Sequence, residues 1–190
     1  MSEMRINTDT PFMAQKEKVN INRVWAMPNH LTFQIKPVRE LIEKYFSGYS
    51  IDPFANSGKL ASVTNDLDTS FDTDYNLDAL DFLKLFEDSS VDTVLYDPPY
   101  SPRQVSESYK KLGKSVNMLT TSARYWSAQK IEIARIVKPG GIVISCSWNS
   151  GGIGKKLGFE IQEILLVAHG GWHNDTIITV ERKQDETNIK

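Results

Sequence analysis

The chain has 190 residues, of which 40% are hydrophobic and 24% charged, and its formal net charge at pH 7 is −2. This length favours one domain, or one domain with a small appendage, and the composition is ordinary for a soluble globular protein. The single cysteine, Cys146, excludes an internal disulfide framework. Because we find neither an apolar leader nor a run of transmembrane length, we expect a cytoplasmic protein that does not associate with membranes.

The first third of the chain predicts a polar segment followed by one helix. We expect residues 1–20 to be a flexible segment, 184–190 to be a polar tail, and 21–183 to form the single domain. Residues 36–46 are predicted to be helical, since Pro37 suits a first helical turn and apolar residues recur on one face.

Two short strands come next, and each leads to an acidic residue. Residues 49–52 and 61–65 are bounded by turn residues, as strands are. The first strand runs into Asp-Pro-Phe-Ala-Asn-Ser-Gly at 52–58, a predicted tight turn in which Asn56 can tolerate a positive φ. The second strand ends near Asp66, where an acid in a nucleotide-binding type of sheet can accept ribose hydroxyls.

Two more strands are predicted next, and the second of them leads into the most informative stretch of the sequence. Residues 75–78 are predicted to be a short strand before a helix over 79–86, and 92–96 to be a buried strand. Asp-Pro-Pro-Tyr at 97–100 ends that strand, because proline has no N–H for a sheet ladder. The resulting stiff loop presents a carboxylate, a free carbonyl and an aromatic ring together, which suits a flat, uncharged amine.

The second half of the chain alternates helix and strand, which predicts an α/β fold. We expect Cys146 to be a small core residue of a buried strand. The predicted elements are a long polar loop over 101–122, a helix over 124–137 ended at 138–141, a strand over 142–147, a short helix over 153–157, and strands over 161–168 and 176–181 joined by a tip at 169–175.

Charge is divided unevenly around the Asp-Pro-Pro-Tyr stretch. Residues 66–97 contain ten acids against one lysine, whereas 103–138 contain eight bases against two acids. The basic half could face phosphates, although a solvated helix surface is an equally good interpretation of any one residue.

The stretches 52–58 and 97–100 resemble the cofactor and catalytic motifs of the amino-methyltransferases, which move a methyl group from S-adenosylmethionine to an exocyclic nucleobase nitrogen. Asn56 stands where the family motif has its first glycine. The aspartate-led tetrapeptide is similar to that of DNA adenine-N6 enzymes, in a small, single-domain, phage-like form. The resemblance covers roughly residues 24–182.

This resemblance implies a class I methyltransferase fold. That fold is a Rossmann-like, mostly parallel central sheet with a C-terminal antiparallel hairpin and helices on both faces. The whole of 21–183 would be catalytic domain. The segment 101–122 is too short to hold a separate target-recognition domain, so we expect low or short sequence specificity.

The resemblance also implies roles for individual residues. The catalytic residues would be Asp97, Pro98, Pro99 and Tyr100. The residues that bind S-adenosylmethionine would be Trp25, Pro28, Asp52, Pro53, Phe54, Asn56, Gly58, Asp66, Leu67, Asp78 and Ala79. Candidate nucleic-acid contacts are Arg103, Gln104, Lys110, Lys111 and His173. We predict no metal site, since His169, His173 and Asp175 fit the tip of a hairpin better than a metal clamp.

The function implied is methyl transfer to the N6 amine of adenine in DNA, by a chain that could form a homodimer. Two alternatives stay open: an RNA base methyltransferase acting on adenine-N6 or guanine-N2, and a non-catalytic partner subunit that binds S-adenosylmethionine. A nicotinamide dehydrogenase is disfavoured, because no Gly-x-Gly-x-x-Gly follows the first predicted strand.

Overall fold

One twisted sheet organises the chain. The computed structural model describes residues 18–116, 122–171 and 173–185. Within these ranges the strands are β1 (Asn20–Trp25), β2 (Ser50–Asp52), β3 (Val63–Thr64), β4 (Val91–Tyr96), β5 (Val137–Ser147), β6 (Phe159–Ala168) and β7 (Thr176–Lys183). They form a seven-stranded sheet in the order β1-β6-β7-β5-β4-β2-β3.

The directions of the strands identify the fold class. β2 is parallel to β3 and β4, β4 is parallel to β5, and β1 is parallel to β6. Only β7 runs against its neighbours, pairing antiparallel with β5 and β6. A mostly parallel sheet that closes on an antiparallel C-terminal hairpin confirms the predicted class I methyltransferase fold.

Helices cover both faces of the sheet, as expected. They are α1 (Lys36–Tyr45), α2 (Ala79–Leu83), α3 (Pro102–Lys111) and α4 (Ala123–Ile136). Because successive strand residues point to opposite faces, Leu95 packs with Leu41 of α1, whereas Val94 packs with Phe82 of α2 and Ile133 of α4. In the part of the chain that the structure describes, none of the helices is long and apolar enough to span a membrane.

The predicted third strand over 75–78 is wrong. A single bridge between Asn65 and Tyr75 is all that pairs there. The Asp74 carboxylate accepts hydrogen bonds from the Thr64 N–H and hydroxyl, both at 2.8 Å. The Asp74 side chain thereby forms hydrogen bonds with β3 in the place where a neighbouring strand would form them.

The predicted loop over 101–122 contains helix α3. The Ser101 hydroxyl accepts a hydrogen bond from the Gln104 N–H at 3.3 Å and caps the helix, and Pro102 occupies its first turn. Val105 and Tyr109, four positions apart, are the residues that α3 buries. Because only two apolar side chains anchor the helix, its apolar pattern is weak in the sequence.

Strand β1 was not predicted, and it includes Asn20 from the segment expected to be flexible. Its side chains are mostly exposed, so they show no alternation of polar and apolar residues. The strand is held instead by backbone pairing with β6 and by the Glu163 carboxylate, which accepts hydrogen bonds from Asn20 and Asn22. The helix predicted over 153–157 is a single 3-10 turn at Lys155–Leu157.

Candidate functional site

A cavity of about 470 Å³, here called the main cavity, lies where β2, β3 and β4 end. Open α/β sheets bind their ligands at the carboxyl ends of strands, and this volume is in the range of small-molecule sites. Sequence-predicted residues that line the main cavity are Pro53, Phe54, Asn56, Asp66, Leu67, Asp78, Ala79, Asp97, Pro98, Pro99, Tyr100, Gln104 and Lys111. Asp52 and Gly58 line a side pocket of about 30 Å³ that shares Phe54, Asn56 and Asp97 with it.

The turn after β2 is shaped by local hydrogen bonds. Asp52 Oδ1 accepts a hydrogen bond from the Phe54 N–H at 2.9 Å, and the Gly58 N–H donates to the Ala55 carbonyl at 2.7 Å. Asn56 has a φ of 49°, the left-handed conformation that asparagine tolerates and glycine favours. The tight turn predicted for this stretch is therefore compatible with an asparagine at position 56.

Three acids border this turn, of which Asp52 is buried and Asp66 and Asp97 are half-buried. Burial raises the pKa of Asp52 to about 8, and the charges of Asp97 and Asp66 add to the rise. Burial also raises the pKa of Asp66, although backbone N–H groups, including that of Asn56 at 2.9 Å, oppose the rise. The Asp97 pKa is raised by burial too, against hydrogen bonds from Thr32 and Tyr100. A ligand that brings hydroxyl or ammonium donors would stabilise such a cluster.

The Asp97–Tyr100 loop is held rigidly at the rim of the main cavity. The Tyr100 hydroxyl donates to Asp97 Oδ1 at 2.5 Å, and the Tyr100 N–H donates to Gln104 Oε1 at 2.6 Å. The Trp126 indole N–H donates to the Pro99 carbonyl at 2.9 Å. Within the described residues no donor reaches the Pro98 carbonyl. The loop thus keeps one backbone acceptor available beside a carboxylate.

Helix α3 adds a contact that the sequence reading missed. Asp78 Oδ1 caps α2 by accepting a hydrogen bond from the Leu80 N–H at 3.0 Å, and its other oxygen accepts one from the Tyr109 hydroxyl. Tyr109 is 7% exposed, and its pKa is raised by burial and by the bond to Asp78. Tyr125 of α4 lines the cavity beside it, and burial raises the Tyr125 pKa to about 12.

Several sequence-predicted residues lie away from the main cavity. Trp25 is 64% exposed at the end of β1, and Pro28 is also exposed. Neither residue lines the main cavity, so the structure does not support their predicted contacts with the cofactor. Arg103 is exposed and forms an ion pair with Glu107, which does line the main cavity, with a nitrogen–oxygen distance of 2.7 Å. Lys110 and His173 are exposed. The nucleic-acid contacts of these last three residues remain predictions.

His169, considered above as a metal ligand, is a buried structural residue. Its Nδ1 lies 2.9 Å from the Ala26 carbonyl and its Nε2 lies 3.0 Å from the Thr176 hydroxyl, so both ring nitrogens are engaged. Over residues 18–116, 122–171 and 173–185 no group of three or more histidine, cysteine or acidic side chains is arranged to hold a metal ion.

No protein-family model and no curated protein sequence matches the chain. Solved structures do resemble it. One is the 1,6-didemethyltoxoflavin-N1-methyltransferase of Burkholderia thailandensis with bound S-adenosylhomocysteine, with 10% identity, a TM-score of 0.48, and coverage of 72% of this chain and 71% of that one. Another is TrmN from Thermus thermophilus, with 18% identity, a TM-score of 0.48, and coverage of 78% and 47%.

A third similar structure is a Thermus thermophilus protein provisionally assigned as a DNA modification methylase, with 17% identity, a TM-score of 0.38, and coverage of 56% of this chain and 50% of that one. The chain therefore spans about half the length of two of these three proteins. At such identities the likeness is one of fold, and the chemistry of the main cavity follows from its own residues.

Proposed function

We propose that the chain transfers a methyl group from S-adenosylmethionine to the exocyclic N6 amine of adenine in DNA, with low or short sequence specificity. The observation that carries the proposal is the Asp97–Tyr100 loop at the rim of the main cavity. It places a carboxylate, a free Pro98 carbonyl and an aromatic ring beside a space of the size of a nucleoside cofactor.

The donor groups of S-adenosylmethionine fit the acceptors that line this space. The molecule carries two ribose hydroxyls, an adenine amine and an ammonium, all of which are hydrogen-bond donors. Asp66 and Asp78 line the main cavity, and Asp52 lines the adjoining side pocket. Asp66 would hold the ribose and Asp78 the adenine amine, as the resemblance implies. The raised pKa of Asp66 is consistent with a carboxyl that gains donors on binding.

The cofactor would supply an electrophilic methyl group whose carbon–sulfur bonding pair leaves with sulfur as a neutral thioether. The amine lone pair of the base forms the new carbon–nitrogen bond, so the positive charge moves from sulfur to nitrogen. The Asp97 carboxylate and the Pro98 carbonyl would accept the two N–H hydrogens of that amine. Both bonds strengthen as the nitrogen becomes tetrahedral and cationic, and they therefore stabilise the transition state more than the ground state.

The amine then loses one proton, for which the Asp97 carboxylate is the nearest acceptor. Its pKa is raised by burial, which makes it a better base than an exposed aspartate. The Tyr100 hydroxyl donates to the other side of the same carboxyl group and fixes its orientation. No covalent intermediate with the protein is needed, and alignment at about 3–3.5 Å is the main task of the site.

DNA is supported as the acceptor by the aspartate-led motif and by the basic residues that follow it. Lys111 of α3 lines the main cavity, and Arg103 and Lys110 lie on the same helix. A base inside a duplex would have to be flipped out, and stacking on Tyr100 would recover part of that free energy. A single ten-residue helix carries these contacts, which supports recognition of a short sequence or of none.

Product identity tests the proposal. The protein is incubated with methyl-labelled S-adenosylmethionine and, separately, with unmethylated duplex DNA, single-stranded DNA and ribosomal RNA, and the digests are analysed by mass. We expect label in N6-methyldeoxyadenosine. Label in an RNA nucleoside would show that the acceptor is RNA and not DNA. No label in any digest, with S-adenosylhomocysteine bound, would refute transfer and support the non-catalytic alternative.

A further inference from the structure

A second cavity, of about 240 Å³, lies behind the Asp97–Tyr100 loop, between that loop, helix α4 and the end of β5. Pro98 and Tyr100 line both this second cavity and the main cavity. Of the two acceptor residues of the loop, Pro98 therefore borders both spaces, whereas Asp97 lines the main cavity and its side pocket. A transfer reaction needs such an arrangement, because the methyl donor and the methyl acceptor must approach one point from different sides.

The wall of the second cavity contains a hydrogen-bonding group that the protein itself leaves unused. Ser145 of β5 is 4% exposed, and its hydroxyl has no hydrogen-bond partner. A buried hydroxyl without a partner is unfavourable by about 1–3 kcal/mol, so most buried polar groups in proteins are paired. An unpaired one that lines a cavity is well placed to bind a ligand.

Lys130 of α4 is the charged residue of this wall. Among the residues that the structure describes, no acid lies within ion-pair distance of its ammonium group. Burial lowers its pKa, and the more distant carboxylate of Glu181 opposes that change. With Ser145, it gives the second cavity two donors that no protein acceptor occupies.

Three aromatic residues also line the second cavity, and the other lining residues are prolines and small or polar residues. The Trp126 indole is fixed by its bond to the Pro99 carbonyl, and the Tyr96 hydroxyl donates to Gln129 Oε1 at 2.8 Å. Fixed aromatic rings beside unpaired donors are the features that bind a heteroaromatic base, whose ring nitrogens and carbonyls accept hydrogen bonds in its plane.

We propose that the second cavity receives the acceptor base, and that Lys130 and Ser145 bind it by donating hydrogen bonds to acceptor atoms on its ring. The base would then present its exocyclic amine towards Pro98, which lines both cavities, and Asp97, which lines the main cavity. This inference rests on the proposed function, since it assigns the acceptor of that same reaction to a particular space. Neither Lys130 nor Ser145 was among the nucleic-acid contacts predicted from the sequence.

A matched pair of variants separates binding from folding. Ser145→Ala and Thr179→Val each remove a buried hydroxyl that has no partner, and these two residues face each other across β5 and β7. Of these two residues, Ser145 lines the second cavity and Thr179 does not. Since neither hydroxyl is satisfied in the protein alone, neither variant should lower the unfolding temperature.

The readout is the Michaelis constant for a single-stranded oligodeoxynucleotide that contains one adenine. Loss of one hydrogen bond in Ser145→Ala should raise this constant by about 3- to 10-fold. Lys130→Met should raise it by about 10-fold or more, because the lost hydrogen bond is charge-assisted. Thr179→Val should leave it unchanged, and all three variants should bind S-adenosylhomocysteine as the wild type does.

An unchanged Michaelis constant in both Ser145→Ala and Lys130→Met would overturn the inference while leaving the proposed function in place. If the wild type methylates no nucleic acid, the proposed function fails and a second measurement decides the inference. Deoxyadenosine and inorganic phosphate are then titrated into the S-adenosylhomocysteine complex by calorimetry. Deoxyadenosine binding that weakens in Ser145→Ala supports the inference, whereas phosphate binding alone, or no binding, overturns it.

Discussion

The turn at 52–58 and helix α3 both border the main cavity, yet they obtain their geometry in different ways. The turn is shaped by bonds between residues close in sequence, such as Phe54 N–H to Asp52, and is tied to the end of β3 by the bond from Asn56 N–H to Asp66, ten positions away. Helix α3 takes its place through Tyr109, whose hydroxyl reaches Asp78 across 31 positions of sequence. Short-range geometry can be predicted from residue types, whereas long-range placement depends on the completed fold.

The largest effect is expected at the Asp97–Tyr100 loop, which lines the main cavity together with the turn and α3. Asp97→Asn keeps the size of the side chain but removes the charge that would stabilise a cationic amine. Turnover should fall by about 10²–10³-fold, the effect of losing one preorganised electrostatic contact. The measurement is the rate of label transfer to DNA at saturating cofactor. Asp81→Asn, on the exposed side of α2, is the matched control, and equal losses in both variants would remove Asp97 from the mechanism.

The turn can be tested through pH, because the pKa of Asp52 is raised to about 8. An unfolded chain ionises this acid near pH 4, whereas the folded protein keeps it protonated up to about pH 8. Folding stability should therefore decrease as pH rises from 5 to 8, by about 1.4 kcal/mol per unit at most.

Asp52→Asn cannot ionise, so its contribution to stability is independent of pH. Relative to the wild type, the variant should gain stability between pH 5 and pH 8. Thermal unfolding of both proteins at the two pH values gives the difference directly. A difference that is constant with pH would show that Asp52 is ionised in the folded protein.

The placement of α3 can be tested by removing one hydroxyl. Tyr109→Phe should lower the free energy of unfolding by about 1 kcal/mol, the usual loss for one hydrogen bond. It should also free one Asp78 oxygen for a ligand, so S-adenosylhomocysteine should bind somewhat more tightly. Tyr49→Phe, outside the main cavity, is the control. Weaker binding in Tyr109→Phe would instead mean that the hydroxyl itself contacts the ligand.

An effect no larger than that of Tyr109→Phe is expected at Asn56, where the backbone has a positive φ. Asn56→Ala should destabilise the protein by about 1 kcal/mol, since alanine is disfavoured in the left-handed region. Asn56→Gly should be close to neutral, because glycine adopts this conformation freely. Denaturant unfolding of the two variants gives both values. An alanine variant as stable as the wild type would show that this turn does not require a left-handed residue.

The sequence alone predicted most of the sheet and much of the lining of the main cavity. Three elements were predicted with both ends correct to within one residue, because each carries a strong apolar pattern. They are the strand at Val91–Tyr96 and the helices at Lys36–Tyr45 and Ala123–Ile136. Strand β1 could not be predicted, since its side chains are exposed and its pairing with β6 joins the two ends of the chain.

The residues of the candidate site show the same difference between those that the sequence could predict and those that it could not. Acids at strand ends, such as Asp66 and Asp97, were predictable because parallel strands bring their carboxyl ends to one edge of the sheet. Tyr109 and Lys130 were not, because each reaches its cavity only through the packing of a helix. The Ser101-Pro102 pair was a readable signal for the start of α3, since serine caps helices and proline suits the first turn.

The central claim is that the main cavity binds S-adenosylmethionine and that Asp66 anchors it. Calorimetric titration with S-adenosylhomocysteine tests this claim without requiring turnover. We expect the wild type and Asp97→Asn to bind one molecule with similar affinity, and Asp66→Ala to lose about 10-fold or more, because ligand hydroxyls lose a charged acceptor. No binding by the wild type, or unchanged binding by Asp66→Ala, would contradict the assignment.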